Sequence, residues 1–184
     1  MLPTSLSVGG VEREIRSDYR DCLNILVACN DAELNAYEKM AVMLEILYKD
    51  YADIEEKDMQ EAVDKAVWFL DCGSTATDSR TKRDRVYDWE QDEQIIFAAI
   101  NKVAGHEVRA VEYVHWWTFI SYFHEIGEGL FSTVVHIRDK KNKKKKLEKY
   151  EAEFYKENKS LVDLKKKYSE EQLAEIDRIN KILQ

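Results

Sequence analysis

The chain has 184 residues, enough for one domain with a real hydrophobic core and too few for a multi-domain enzyme. Its 45% hydrophobic and 35% charged residues exclude wholesale disorder, and one Pro with six Gly cannot supply the many tight turns of an all-β fold. The net charge of -8 is unevenly spread: from Arg138 onward there are 15 Lys and Arg against 10 Asp and Glu, leaving 13 basic and 26 acidic residues upstream.

Three Cys, at positions 22, 29 and 72, cannot all pair and none lies in a CxxC motif, which points to a reducing compartment. No apolar run approaches a membrane span, and the opening MLPTSLSVGG lacks the basic start and apolar block of a secretory signal, so an intracellular protein is expected. In chain order, Leu6, Val8, Val11 and Ile15 alternate around Gly9-Gly10 as in a β-hairpin. Ser17 or Asp18 caps a helix from Tyr19, with Tyr19, Cys22, Leu23 and Leu26 on its apolar face and Cys22 and Cys29 as core-facing thiols. Asn30 and Glu33 read as a capping box opening a helix to Lys49. A third helix carries Met59, Ala62, Val63, Ala66, Phe69 and Leu70, and Gly73 ends it.

The polar STATDSRTKRDR segment reads as a long mobile loop. A fourth helix is expected from Asp88 to Val103, with Trp89, Ile96, Ile100 and Val103 inward and Gly105 as its stop. From Val111 to Ile126 ten of sixteen residues are apolar, so a helix there is central or offers a second face to a partner. Leu130, Phe131, Val134 and Val135 begin another helix reaching Arg138. Beyond the basic run, Leu147, Phe154, Leu161 and Tyr168 stand seven apart with Tyr150 and Leu164 between them, the pattern of a helical arm that needs something to lie against. Ser169 and Gln172 form a fresh capping box, after which Leu173, Ile176, Ile179 and Leu183 start in a new phase.

Chemistry-bearing motifs are sparse. His106, His115, His124 and His136 include no i, i+4 pair, so no metal site is expected, and His115 reads as a core histidine. The Asp88-Asp92 and Glu125-Glu128 pairs read as solvated or dipole-complementing, and no phosphate-binding loop or nucleophile elbow is present. A hydrolase using Asp88, Asp92 or His124 is the weakest reading. Seven Lys between Lys140 and Lys149, centred on Lys143, Lys144, Lys145 and Lys146, offer a phosphate-binding alternative. Without interleaved aromatics for base stacking, a solvated connector docking on acidic helices is the preferred account, and nucleic acid is not expected as the main partner.

Several blocks resemble one family. Asp18-Tyr19-Arg20, Trp68-Phe69-Leu70-Asp71-Cys72-Gly73, Val86-Tyr87-Asp88 with Asp92 and Ile95-Ile96, and above all His115-Trp116-Trp117-Thr118-Phe119 are similar to the "gene product fifteen" family of siphophages and prophages of Gram-positive bacteria. The likeness runs from about Val11 to Arg138. It implies a protein of the host cytoplasm, encoded between the major tail protein and the tape measure protein and acting as a tail assembly chaperone or tail-region protein, with no cofactor and no catalysis.

The expectation is therefore a mainly α protein: residues 1–138 as a helical body with a small N-terminal hairpin, and 139–184 as a basic connector and extended C-terminal helical arm. The expected contacts to a tape measure protein, or to a second copy, are Leu147, Tyr150, Phe154, Leu161, Leu164 and Tyr168 along the arm, with Trp116, Phe119 and Phe123 as anchors.

Overall fold

The structure is a computed structural model, and residues 2–74 and 84–182 are described; most of the expected polar loop lies outside them. Strands β1 (Ser5–Val8) and β2 (Val11–Glu14) pair antiparallel, with Val8 opposite Val11. Gly9 and Gly10 both have positive φ, +60° and +76°, as a two-residue hairpin turn of this hand requires. A Cβ at Gly9 would collide with the Asp58 carboxylate, so the turn is also pressed against the body. Leu6 and Val8 are buried, but Val11, next to the turn, stays exposed. Arg13 completes the inner face instead, donating to Asp50 Oδ2 (2.7 Å) and the Asp53 carbonyl (3.0 Å).

Helix α1 (Tyr19–Cys29) starts at Asp18, whose side chain accepts from the Arg20 amide (2.9 Å) and, across the fold, from the Val114 amide (3.0 Å). Tyr19, Cys22 and Ile25 are buried; Cys29 is exposed, so only the first of the two thiols faces the core. The capping box expected at Asn30 does not form, because Asn30 closes α1, its side chain donating to the Leu26 carbonyl (3.0 Å). Five residues on, Asn35 and Glu38 make that box for α2 (Ala36–Leu47): Asn35 Oδ1 accepts from the Tyr37 and Glu38 amides, and Glu38 returns to the Asn35 amide.

Helix α3 (Met59–Leu70) ends through Cys72 and Gly73, both left-handed, with the Gly73 amide bonded to the Trp68 carbonyl (2.8 Å). Helix α4 (Glu93–Ala104) starts five residues later than expected, because Asp88 caps a separate turn by accepting from the Glu90 and Gln91 amides. Val103 is 37% exposed rather than inward, and Phe97 joins Ile96 and Ile100 in the core.

The apolar stretch from Val111 is only partly helical. A short 3-10 turn at Val108–Ala110 leads to extended chain, and helix α5 (Trp116–His124) begins where His115 Nδ1 accepts the Trp117 amide (3.0 Å). With Nδ1 an acceptor, Nε2 carries the proton and donates to the Pro3 carbonyl (2.9 Å), so this histidine anchors both α5 and the N-terminal segment. Helix α6 (Leu130–Asn142), helix α7 (Lys149–Glu157), the one-turn helix α8 (Lys159–Val162) and helix α9 (Glu170–Ile182) follow. The described chain is thus mainly α with one hairpin.

The core centres on α5. Tyr19 and Phe119 stack at 4.4 Å, with Phe97, Trp116 and Trp89 around them. Both indoles of the Trp116-Trp117 pair donate to the end of α3, Trp116 Nε1 to the Leu70 carbonyl (2.9 Å) and Trp117 Nε1 to the Phe69 carbonyl (2.8 Å). These are carbonyls that a helix end leaves without intrahelical donors, so the pair caps one helix while starting another.

A second, smaller cluster of Val134, Ile137 and Val162 lies between α6 and α8. Beside it the buried Arg138 guanidinium meets Asp92, the residue preceding α4, through Nη1 to Oδ2 (2.5 Å) and Nη2 to Oδ1 (2.9 Å). Its remaining donors go to the carbonyls of Val162 (2.6 Å), Leu161 (2.8 Å) and Val86 (3.1 Å), so all five N–H groups are used. The Asp88-Asp92 pair is therefore buried structure rather than a solvated face.

Replacing Asp92 with Ala strands a buried guanidinium and is expected to cost about 3–5 kcal/mol in urea melts, whereas Asp92→Leu combined with Arg138→Met recovers only part of that loss, because the Val86, Leu161 and Val162 carbonyls lose their donors. Equal losses in both variants would show that packing, not the unpaired charge, sets the cost.

Candidate partner-binding surface

The expected contact residues range from fully buried to exposed. Trp116 and Phe119 are 1% and 0% exposed and present no surface to a partner in this conformation. Phe123 is half-buried against Trp89 (4.9 Å), Tyr87 (5.3 Å) and Phe131 (5.7 Å). Leu147, Phe154 and Leu161 turn inward on the Val134, Ile137 and Val162 cluster. The seam does not run as one helix, because α7 ends at Asn158, whose side chain bonds back to the Phe154 carbonyl (3.0 Å). Leu164 is half-buried beside Arg138, Lys141 and Asp163, and Tyr150 and Tyr168 are exposed.

The exposed apolar face lies further on, along α9. Ser169 and Gln172 form the expected capping pair, with the Ser169 amide donating to Gln172 Oε1 (3.0 Å) and the Gln172 amide to Ser169 Oγ (3.2 Å). The spacing of three puts Leu173, Ile176 and Ile179 on one side, 48%, 36% and 47% exposed. Leu183, expected in this stripe, lies outside the described residues. The helix is tethered by polar contacts at its start: Lys167 pairs with Glu90 and, at 3.6 Å, with Asp88, and the Glu170 amide donates to Glu33 Oε1 (2.6 Å). Under its first turn is a cavity of about 420 Å³ lined by Val27, Asp31, Ala32, Lys167, Tyr168 and Leu173. A second apolar groove, about 340 Å³, lies between α4 and the start of α6, with Ile95, Val103, Ile126 and Leu130 in its wall.

The lysine run does not dock on the acidic helices of the body. Lys140 pairs with Glu151 (2.7 Å), Lys141 with Asp163 while lying 3.8 Å over the Tyr155 ring, and Lys143 with Asp139 (2.8 Å), all partners from α6 or its own downstream segment. Lys144, Lys145 and Lys146 are exposed in the turn before α7, and Lys144 has the left-handed φ of 53°. The residues weighed for hydrolysis do not converge: Asp92 is committed to Arg138, Asp88 to its turn and to Arg85 (2.9 Å), and His124 is exposed at the end of α5. Among the described residues no group of three His, Cys, Asp or Glu side chains could hold a metal ion. Burial pushes the Cys22 thiol well above its ordinary range and, helped by Asp71, the Cys72 thiol up to about 11.

Sequence reasoning missed the polar supports of this region, although a signal for each of them was present. Arg138 stands four after Val134 and seven after Phe131, inside the apolar face of α6, and Asp92 stands four before Ile96 on the stripe that α4 buries. A charge at each inward position, one of each sign, is the signature of a buried pair. The third support, Glu151, carries the same kind of signal, four after Leu147 and three before Phe154 on the seam.

The family described as Bacteriophage Gp15 protein matches residues 1–164, and the chain belongs to that family. The match takes in α8 and stops before α9. Searches of curated proteins and of solved structures find no match.

The ties that hold α7 and α8 to α6 are acid-sensitive. The hydrogen bond from Lys140 holds buried Glu151 below its ordinary 4.5, outweighing burial and aided by the Glu148 amide and His136. For Asp163, burial acts upward, but Lys141 and Tyr155 outweigh it and hold the carboxyl below 3.8. A lowered acid stabilises fully above its unfolded value and loses that contribution as pH falls through its folded value. On acidification below about 4.5 the NMR signals of residues 149–162 should therefore broaden or shift before those of α1 and α5. Simultaneous loss of all three would show that these pairs do not hold the segment separately.

Proposed function

We propose that this Gp15-family protein is a noncatalytic tail assembly chaperone that binds the tape measure protein while a long noncontractile tail is built. The observation that carries the reading is the α9 stripe, three large aliphatic side chains on one helical face left in water. Isolated exposed apolar residues are ordinary, but a helically spaced row is suited to another amphipathic helix. A tape measure protein is a long, largely helical chain whose apolar stripes would associate if left uncovered, and α9 and the α4–α6 groove offer complementary cover. Each contact covers little area, so binding at one site is weak. Many copies along one chain suffice, and tube subunits can displace them in turn.

The nucleic-acid alternative narrows to Lys144, Lys145 and Lys146, since the neighbouring lysines Lys140, Lys141 and Lys143 are neutralised by carboxylates. Three exposed charges give a shallow salt dependence, a slope of roughly -3 in log affinity against log salt for duplex DNA.

Coexpression with the tape measure protein of the same phage tests the reading. A tagged chain should copurify the tape measure protein and keep it soluble, and Leu173→Ser, Ile176→Ser and Ile179→Ser together should reduce the recovered amount at least about tenfold without moving the thermal midpoint, because none of the three supports the core. A tape measure protein equally soluble and unbound with or without this chain would overturn the reading.

A further inference from the structure

The turn that carries the three exposed lysines also decides how the end of the chain is placed. We propose that residues 147–182 exchange between two copies of this chain, giving a domain-swapped dimer whose hinge is Lys143–Lys146. The proposal is independent of the tape measure reading.

Four observations carry it. From Leu130 to the end of the chain there is no Gly or Pro, so helix formers occupy the turn itself. The turn is made by Lys144 at a φ of 53°, a conformation that disfavours any residue with a Cβ. The run from Lys143 to Lys146 packs four like charges into that bend, and only Lys143 has a carboxylate partner, Asp139 at 2.8 Å. Finally, what α7 and α8 bury against α6 is small: Val134, Ile137 and Val162, with Leu147, Phe154 and Leu161 alongside, form a cluster separate from the main core. The segment thus leaves its seat as a unit, and the core is complete without it.

Straightening the turn returns Lys144 to the helical region and joins α6 to α7 as one helix of 28 residues, about 42 Å long. It also places Glu148 one turn from Lys144. The displaced segment then carries an exposed apolar face that only a matching seat can cover. A second copy has that seat, including Lys140 for Glu151, Lys141 for Asp163 and Arg138 for the Leu161 and Val162 carbonyls. The contacts of the segment with α6 are remade between chains, reciprocally and with two-fold symmetry, the bonds of the turn and the Glu148 amide bond to Glu151 give way to intrahelical ones, and the strain of two left-handed lysines is released. The occupant is specified by the contacts already present within one chain.

Light scattering after gel filtration, on the full chain over a wide concentration range, reads the result. A dimer should accumulate with concentration and interconvert slowly with monomer. Lys144→Gly, which accepts the left-handed conformation without penalty, should weaken the dimer roughly tenfold or more. Deleting Lys144, Lys145 and Lys146 leaves too little chain to turn back and should give dimer at all concentrations. In that dimer, His136→Cys with Glu151→Cys, whose side chains meet at 3.0 Å in the parent, should form a disulfide between chains rather than within one. A chain that stays monomeric at the highest concentration, or a dimer unaffected by Lys144→Gly, would overturn the proposal. A dimer abolished by the three serine substitutions in α9 would overturn it as well, since it would place the contact there.

Discussion

The arrangement of the C-terminal third depends on one buried cation. Arg138 sits inside an apolar helix face where an unpaired guanidinium could not stay, and its five donors reach Asp92, the Val86 carbonyl and the carbonyls of Leu161 and Val162. Those acceptors come from two stretches far apart in sequence, residues 86–92 and 161–162, and neither is held in place by a sheet. Satisfying Arg138 therefore fixes the path of the chain before α4, the direction of α6 and the return of α8 together. A hydrophobic residue would fill the same volume and leave the returning segment free to sit at any of several positions along α6. The cost of burying the pair is set against that loss of choice.

Much of the rest follows from groups that helix ends leave unsatisfied. At the end of α3 the Leu70 carbonyl takes its donor from the Trp116 indole, and the Phe69 carbonyl, which already accepts from the Cys72 amide, takes a second from the Trp117 indole. The amide of Trp117 is in turn accepted by His115, whose other nitrogen holds Pro3. Asp18 serves α1 and the Val114 amide with one carboxylate. The His-Trp-Trp-x-Phe block is thus a set of linked caps that happens to be aromatic, and its conspicuousness as a motif comes from joining α3, α5 and the N-terminal segment at one point.

This explains what was legible in the sequence and what was not. The hairpin, the helical class, the cap at Asp18, the Gly73 and Gly105 stops and the Ser169 box all depend on residues within a turn of one another, and they read correctly. Errors arose where two local signals competed or where a partner was remote. Asn30 and Asn35 both head a capping pattern, and only the fact that Asn30 is spent closing α1 decides between them. Trp116 and Phe119 were readable as apolar, but whether an aromatic helix faces its own core or a partner is settled by the other helices, here in favour of the core. The heptad through Leu147, Phe154 and Leu161 correctly marks residues that need cover; the cover is α6 of the same chain, which spacing alone could not name.

The charge asymmetry has a similar resolution. A tail rich in lysine beside an acidic body invites the inference that one neutralises the other, yet the run pairs with acids of its own segment, Asp139, Glu151 and Asp163, while Arg138 crosses to Asp92 and, among the described lysines of the tail, Lys167 crosses to Glu90 and Asp88. The lysines therefore organise the fold of the tail more than its attachment. Those left over, Lys144 to Lys146, are concentrated in a bend that their chemistry disfavours, between two helices that could be one. Local preference and tertiary seat oppose each other there, whereas in the body they agree at nearly every element. The conflict lies upstream of the exposed α9 stripe, with α7 and α8 between them, so the segment that carries the surface best suited to meeting other chains is also the one whose own packing is most easily exchanged.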